Sequence, residues 1–212
     1  MHKLLPLLLL IYTSSCCWKY DTKSRLAHHD QITKKDSLLL PFAEGQSLNY
    51  FTSNGDKISF TVIDIEFSTI REFGSCADCC SESYSLFDNL KVSLISETPK
   101  MTIELSAGVD ALHEFYEYDN LYSRLKLNID NKYGGQIEYD SLGRLGIFNL
   151  EGEYLDTLEI SKNTYYDVVK VPLEHLQNGQ NFSVVRPVSA YYNSQGLLRI
   201  GFSDKTYFSL ID

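Results

Sequence analysis

From residue 38 onward, apolar and polar residues alternate over stretches of strand length, and a turn signal closes most of them. A period of two fits a half-buried β-strand and not a helix, whose apolar positions recur every three or four residues. Leu121, Ser123, Leu125, Leu127 and Ile129 share one side of such a stretch, with Tyr122, Arg124, Lys126 and Asn128 on the other. Met101, Ile103 and Leu105 oppose Thr102, Glu104 and Ser106, and Leu198, Ile200 and Phe202 oppose Arg199, Gly201 and Ser203. Turn residues stand between the stretches: Ser53-Asn54-Gly55-Asp56, Asn131 to Gly135, Leu142-Gly143, Glu151-Gly152, Asn178-Gly179, Asn193 to Gly196, and Ser203-Asp204-Lys205. The expected fold is all-β: an antiparallel meander of about ten or more strands, as a sandwich or a curved open sheet or barrel. Short helical turns are expected at Asp110 to Tyr118 and at Pro172 to Gln177, the latter with Pro at its first position.

One stretch breaks the alternation. Ile58, Phe60 and Val62 share a side, whereas Ile63, Ile65 and Phe67 take the opposite one. A bulge near Val62-Ile63 restores a single apolar face; burial on both sides makes a bulge unnecessary.

The first residues are organised differently. Met1-His2-Lys3 is a short positive start, and Leu4 to Tyr12 is an apolar run interrupted by Pro6. A bilayer-spanning helix needs ~20 apolar residues, so this run has the length of a signal-peptide core instead. Small residues, Thr13, Ser14 and Ser15, follow it as at a cleavage site. Lys19 to Ser37 is polar, holds five basic residues and His28-His29, and shows no apolar period. The expected organisation is a signal peptide over 1–15, a flexible tether over 16–37 and a single β-rich body over 38–212.

Thr13-Ser14-Ser15-Cys16 resembles the lipobox of bacterial lipoproteins. The resemblance implies a diacylglycerol on the Cys16 thiol, cleavage just before it, and acylation of the new amine. It places the chain in the cell envelope, held to a membrane through Cys16 and expected at the outer membrane. The family prefers Leu at the third position before the cysteine, where this chain has Thr13. Cys17 is a competing acceptor, and cleavage after Ser15 without a lipid is the alternative. Each buried methylene contributes ~0.8 kcal/mol, so a single chain binds reversibly and two or more anchor stably.

A second resemblance covers both ends of the body. Pro41-Phe42-Ala43-Glu44-Gly45-Gln46-Ser47-Leu48, the strand after Asn54-Gly55-Asp56, Thr164-Tyr165-Tyr166-Asp167-Val168, and Ala190-Tyr191-Tyr192-Asn193-Ser194-Gln195-Gly196-Leu197-Leu198 look like segments of uncharacterised β-rich exported lipoproteins of Bacteroidetes. The resemblance implies an envelope location and a β-rich fold, and carries no activity.

Charge narrows the partners. The chain carries a formal −9, but residues 1–36 hold six Lys/Arg against three Asp, a net of +3, which leaves −12 on the body. An acidic body lacks the basic footprint that nucleic acid requires.

Among residues that carry chemistry, Cys76-Ala77-Asp78-Cys79-Cys80 is the most concentrated group. A zinc site needs further ligands, and His113 and His175 stand isolated. A structural disulfide of Cys76 with Cys79 or Cys80 is expected in an oxidising compartment. The remaining thiol either pairs with Cys17 or stays free. Redox catalysis is disfavoured, because the CxxC does not open a helix in a βαβ unit. No metal or other cofactor is expected. Tyrosine, with 15 copies, clusters at Tyr116, Tyr118 and Tyr122, at Tyr165-Tyr166 and at Tyr191-Tyr192. Tyr165, Tyr166, Tyr191 and Tyr192 are candidates for an aromatic binding surface, against the alternative of ordinary cross-strand packing. Tyr139-Asp140-Ser141-Leu142-Gly143-Arg144-Leu145 resembles one YD repeat of bacterial shell-forming toxins; a single copy reads as a hairpin.

Hydrolase motifs such as Gly-x-Ser-x-Gly and His-Glu-x-x-His are missing from the sequence. Carboxylates such as Glu104, Glu114, Glu117 and Asp119 read as a solvated face, and Asn128-Ile129-Asp130-Asn131 lacks a full calcium-loop pattern. The expectation is a membrane-anchored, non-catalytic binding or structural module that meets an envelope protein or glycan. The alternatives are a carrier enclosing an apolar ligand within a curved sheet, or a hydrolase of envelope polysaccharide or peptide.

Overall fold

The computed structural model describes residues 25–32, 37, 39–74, 83–108, 123–139, 145–146, 152–176 and 185–211. The first half of the chain supplies β1 (Arg25–Asp30), β2 (Ser47–Thr52), β3 (Lys57–Gly74), β4 (Ser83–Glu97) and β5 (Lys100–Gly108). Next come β6 (Ser123–Ile129), β7 (Tyr133–Tyr139), β8 (Leu145–Gly146), β9 (Glu153–Ile160) and β10 (Asn163–Pro172). The chain finishes with β11 (Glu174–His175), β12 (Pro187–Asn193), β13 (Gly196–Phe202) and β14 (Tyr207–Ile211). Among the described residues these form one sheet, whose path runs β11-β7-β6-β5-β4-β3-β2-β14-β13-β12-β10-β9. β8 pairs with β7, as expected of the Tyr139 to Leu145 hairpin, and β1 adds to β4. The all-β expectation is met by a single open sheet rather than by a sandwich.

The sheet curls because its ends share a core. Val169, Val171 and Leu173, near one end of the path, pack in the same cluster as Tyr133 and Ile137 at the other. β11 follows β10 directly yet pairs with β7, so the chain itself steps across the gap between the ends. Gly134 and Gly135 make the approach feasible. A Cβ on Gly135 would stand 2.7 Å from the Pro172 carbonyl oxygen and 2.8 Å from Val171, and one on Gly134 would meet Leu176 at 2.8 Å. These glycines, expected to form a turn, are strand residues at the seam. The turn before them is made by Asp130 and Asn131 at φ 54° and 53°. With the Lys132 amide donating to the Ile129 carbonyl at 3.0 Å, it is a type I′ turn, in which Asx residues tolerate positive φ.

The broken alternation in β3 resolves as a bulge. The register with β4 shifts between Val62 and Asp64, which leaves Ile63 as the extra residue, 51% exposed. Val62 then pairs with Leu94, Ile65 with Val92 and Phe67 with Leu90, so one apolar side runs from Ile58 to Phe67. The interior is filled by its own side chains: Phe60, Leu105, Ile129 and Ile200 are 0% exposed. Tyr50 crosses this core edge-on to Phe60, with ring centroids 5.5 Å apart, and its hydroxyl donates to the Leu197 carbonyl at 2.8 Å. Burial, with the nearby Tyr165, pushes the Tyr50 hydroxyl well above the ordinary tyrosine range. Leu39 and Leu40 are buried in the same cluster, and the Tyr192 hydroxyl donates to the Leu39 carbonyl.

Two expectations are corrected. Pro172 to Gln177 is not a helical turn as far as it is described, through Leu176. The Leu173 amide donates to the Val188 carbonyl at 3.0 Å and the Leu176 amide to the Lys132 carbonyl at 2.7 Å. Sheet partners thus take the amides that a helix would use. Asp110 to Tyr118 lies outside the described residues. The tether is also interrupted, because Arg25–Asp30 forms β1, parallel to β4 from Arg25 opposite Ser83 to Asp30 opposite Phe87. β5 ends at Gly108 opposite Asn89; beyond that point the edge of β4 is open, and β1 completes its hydrogen bonds.

Candidate functional site

Alternation across the pleat divides each tyrosine pair, since neighbours in a strand face opposite ways. Tyr165 and Tyr192 are 4% and 2% exposed, so both are core residues and leave the expected aromatic surface. Tyr166 is 64% exposed and Tyr191 is half-buried on the outer side. β10 is kinked beside Tyr166: Asp167 has φ 53°. The kink is held by the Tyr154 hydroxyl, which donates to the Asp167 carboxylate, and by Asn193 Nδ2, which donates to the Tyr166 carbonyl at 3.2 Å.

Tyr191 belongs to a row that crosses the outer face. Strand register places Glu153 opposite Lys170, Lys170 opposite Tyr191, and Tyr191 opposite Arg199. The row continues through Ser209 and Phe51 to Lys57. Directly paired residues project to the same side. The Arg199 guanidinium is fixed between two rings, 4.7 Å from the Tyr207 centroid and 5.8 Å from the Tyr191 centroid. Its Nε donates to Ser209 Oγ at 2.8 Å and its Nη2 to the Glu159 carbonyl at 3.4 Å. Lys170 Nζ bonds Glu153 Oε2 at 2.8 Å, and that bond holds its ammonium above the usual lysine range. Phe51 and Tyr207 are 41% and 38% exposed. Among the described residues no carboxylate lies within ion-pair distance of Arg199 or Lys57.

The arrangement offers flat aromatic faces beside fixed cationic donors. Aromatic rings pack against apolar ring faces, and a guanidinium presents several donors to carboxylate or hydroxyl oxygens. Comparison with protein families, with curated proteins and with solved structures returned no match. The row therefore stands on its geometry. Phe51, Lys170, Arg199 and Tyr207 escaped the sequence reading because the row depends on register between strands remote in sequence.

Cys16, Cys17, Cys76, Cys79 and Cys80 lie outside the described residues, as do Glu114, Glu117 and Asp119. Glu104 is taken up by Lys91 at 2.9 Å. Asp130 accepts from the Thr102 amide at 2.7 Å and from its hydroxyl at 3.2 Å, so its carboxylate ties the β6–β7 turn to β5. Among the described residues no group of His, Cys, Asp and Glu has the arrangement of a metal site.

One polar cluster has catalytic residue types. Asp88, 7% exposed, accepts from Thr69 Oγ1 at 2.8 Å and from His29 Nε2 at 3.1 Å, both at Oδ1. The Ile32 amide reaches Oδ2 at 3.4 Å. A nucleophilic triad needs the hydroxyl to face the imidazole. Here hydroxyl and imidazole both address the carboxylate, so the cluster clamps β1 to the sheet.

Proposed function

We propose that the chain is a lipid-anchored, non-catalytic binding module of the cell envelope, whose outer face takes an envelope glycan. The observation that carries this reading is the Tyr191–Arg199–Tyr207–Phe51 group, where the half-buried Tyr191 and the exposed Tyr207 flank a cation fixed on a rigid sheet, with the exposed Phe51 in the same row. Sites on strands hold their geometry better than sites on loops. The anchor is Cys16, delivered by the signal-peptide-like start and the lipobox resemblance, and the membrane is the outer one. Cys76 joined to Cys79 or Cys80 is part of the same reading, since an oxidising compartment favours the bridge.

A carrier needs room for its ligand. The zero exposure of Phe60, Leu105, Ile129 and Ile200 leaves no water-sized space beside them, which favours a surface ligand over an enclosed one.

The test is retention of the full chain on glycans extracted from the envelope, compared with Tyr191→Ala, Tyr207→Ala and Arg199→Ala. An aromatic contact contributes ~1 kcal/mol beyond its buried area, so each tyrosine variant should bind at least about fivefold more weakly. Equal retention of all three variants would sink the assignment. Incorporation of an alkyne fatty acid into the parent, compared with Cys16→Ser, tests the anchor; unchanged labelling in the variant refutes it.

A further inference from the structure

Past the end of β5, β3 and β4 continue as a ribbon to the Gly74–Ser83 pair, with β1 along the edge of β4. One face of this ribbon prolongs the inner, apolar side of the sheet. Ile65 and Phe67 register with Val92 and Leu90, where β5 still pairs with β4, Thr69 and Arg71 register with Asp88 and Leu86 beyond it, and Leu26 of β1 registers with Tyr84. Inside the curl this side is core, yet Phe67, where the ribbon begins, is 60% exposed and Leu26, on the ribbon, is 50% exposed. The same face carries Arg71, whose guanidinium lies 3.8 Å from the Tyr84 ring centroid.

Charge is distributed unevenly between the two faces. Asp88 is the carboxylate among the described side chains of this face, and it is buried under His29 and Thr69. Asp64 and Glu66 register on the opposite face, where, beside the stronger hydrogen bond of Lys91 to Glu104, their charges help hold the Lys91 ammonium above the usual lysine range. A face with exposed Leu26 and Phe67, without an open carboxylate among its described side chains and bordered by Arg71 and Tyr84, has the chemistry of a membrane–water interface.

The chain's own geometry supplies the occupant. β1 runs parallel to β4, so Arg25 sits beside Ser83 at the outer end of the ribbon. Cys16 precedes Arg25 by nine residues, which span at most about 30 Å when extended. The opposite end of the 15-residue β4 lies roughly 50 Å further along the strand. The residues between Cys16 and β1 include Lys19 and Lys23, which are drawn to anionic head groups.

We infer that this ribbon face rests on the lipid surface to which Cys16 is attached, with Leu26 and Phe67 among the head groups and the outer aromatic row turned away. The inference rests on the anchor reading above and goes beyond it by giving the body an orientation. The test uses the full-length lipidated chain in vesicles of phosphatidylethanolamine and phosphatidylglycerol with brominated acyl chains. Trp18 is replaced by Phe, and a single tryptophan is introduced by Leu26→Trp, Phe67→Trp or Phe51→Trp, all at exposed positions. Leu26→Trp and Phe67→Trp should lose half or more of their fluorescence relative to unbrominated vesicles, and Phe51→Trp should lose almost none. Cosedimentation with vesicles and equal quenching at all three positions overturns the orientation alone. Failure to cosediment overturns the anchor, and the orientation with it.

Discussion

Replacing Asp88 with alanine is expected to free β1 while the rest of the sheet stays intact. Of the three bonds to this carboxylate, the one from Thr69 joins β3 to β4 and does not hold β1. The other two come from His29 at 3.1 Å and from the Ile32 amide at 3.4 Å. A hydrogen bond to a charged group contributes about 1.5–3 kcal/mol. The His29 side chain is 29% exposed, so the lower end applies, and the long Ile32 bond adds roughly 0.5 kcal/mol. β1 should therefore lose about 2 kcal/mol and open roughly 30-fold more often. Amide hydrogen exchange reads this directly: residues 25–30 should speed up while β13 keeps its protection. Unchanged exchange in β1, or an equal rise across the whole sheet, would refute the clamp. Acid provides an independent check. Burial alone would raise the Asp88 carboxyl, but the bonds from His29, Thr69 and Ile32, with the charge of His29, outweigh it and hold it below the ordinary range. A lowered folded-state value means that the contribution is complete above the unfolded value of about 3.9. It is lost as pH falls through the lower folded value. The parent should release β1 over that acidic window, and the alanine variant should show no such step.

The seam between the ends of the sheet predicts an order among glycine variants. Gly135→Ala drives a Cβ into a backbone carbonyl and should cost about 1–3 kcal/mol by urea titration; Gly134→Ala meets the exposed end of Leu176 and should cost less. Deleting Ile63 removes the bulge residue and keeps Val62 and Ile65 on one side, so thermal stability should stay within about 1 kcal/mol of the parent. Deleting Glu66 instead moves Phe67 to the opposite face, and equal stability of the two deletions would contradict the register. Non-reducing peptide mapping should find Cys76 bridged to Cys79 or Cys80, with the remaining thiol free or joined to Cys17; alkylation of all four thiols without reductant would exclude both arrangements.

What the sequence made legible was local. Alternation in Met101 to Leu105 and in Leu125 to Ile129 is a property of each strand alone, and both faces emerged as read. The bulge at Ile63 was visible for the same reason, because a parity change within one strand needs no partner to detect. β1 was not visible: Arg-Leu-Ala-His-His-Asp has no apolar period, and its order comes from the edge of β4 and from a carboxylate 59 residues beyond His29. Gly134 and Gly135 misled because a glycine pair after Asn131 has the composition of a turn, whereas the close approach that needs them comes from β10. The aromatic row was half visible. Tyr191 stood out, but its neighbours Arg199, Ser209 and Phe51 are set by register across β12, β13, β14 and β2.

The placement of β14 has a consequence for how the sheet is completed. It lies between β13 and β2 in the middle of the path, with Ile211 opposite Asn49 and Phe208 opposite Thr52. Until residues 207–211 have arrived, the sheet consists of two blocks with exposed edges at β2 and β13. The five-residue β14 thus acts as a latch between the two blocks, and a cut just before Tyr207 should leave two sticky half-sheets rather than a slightly shortened one.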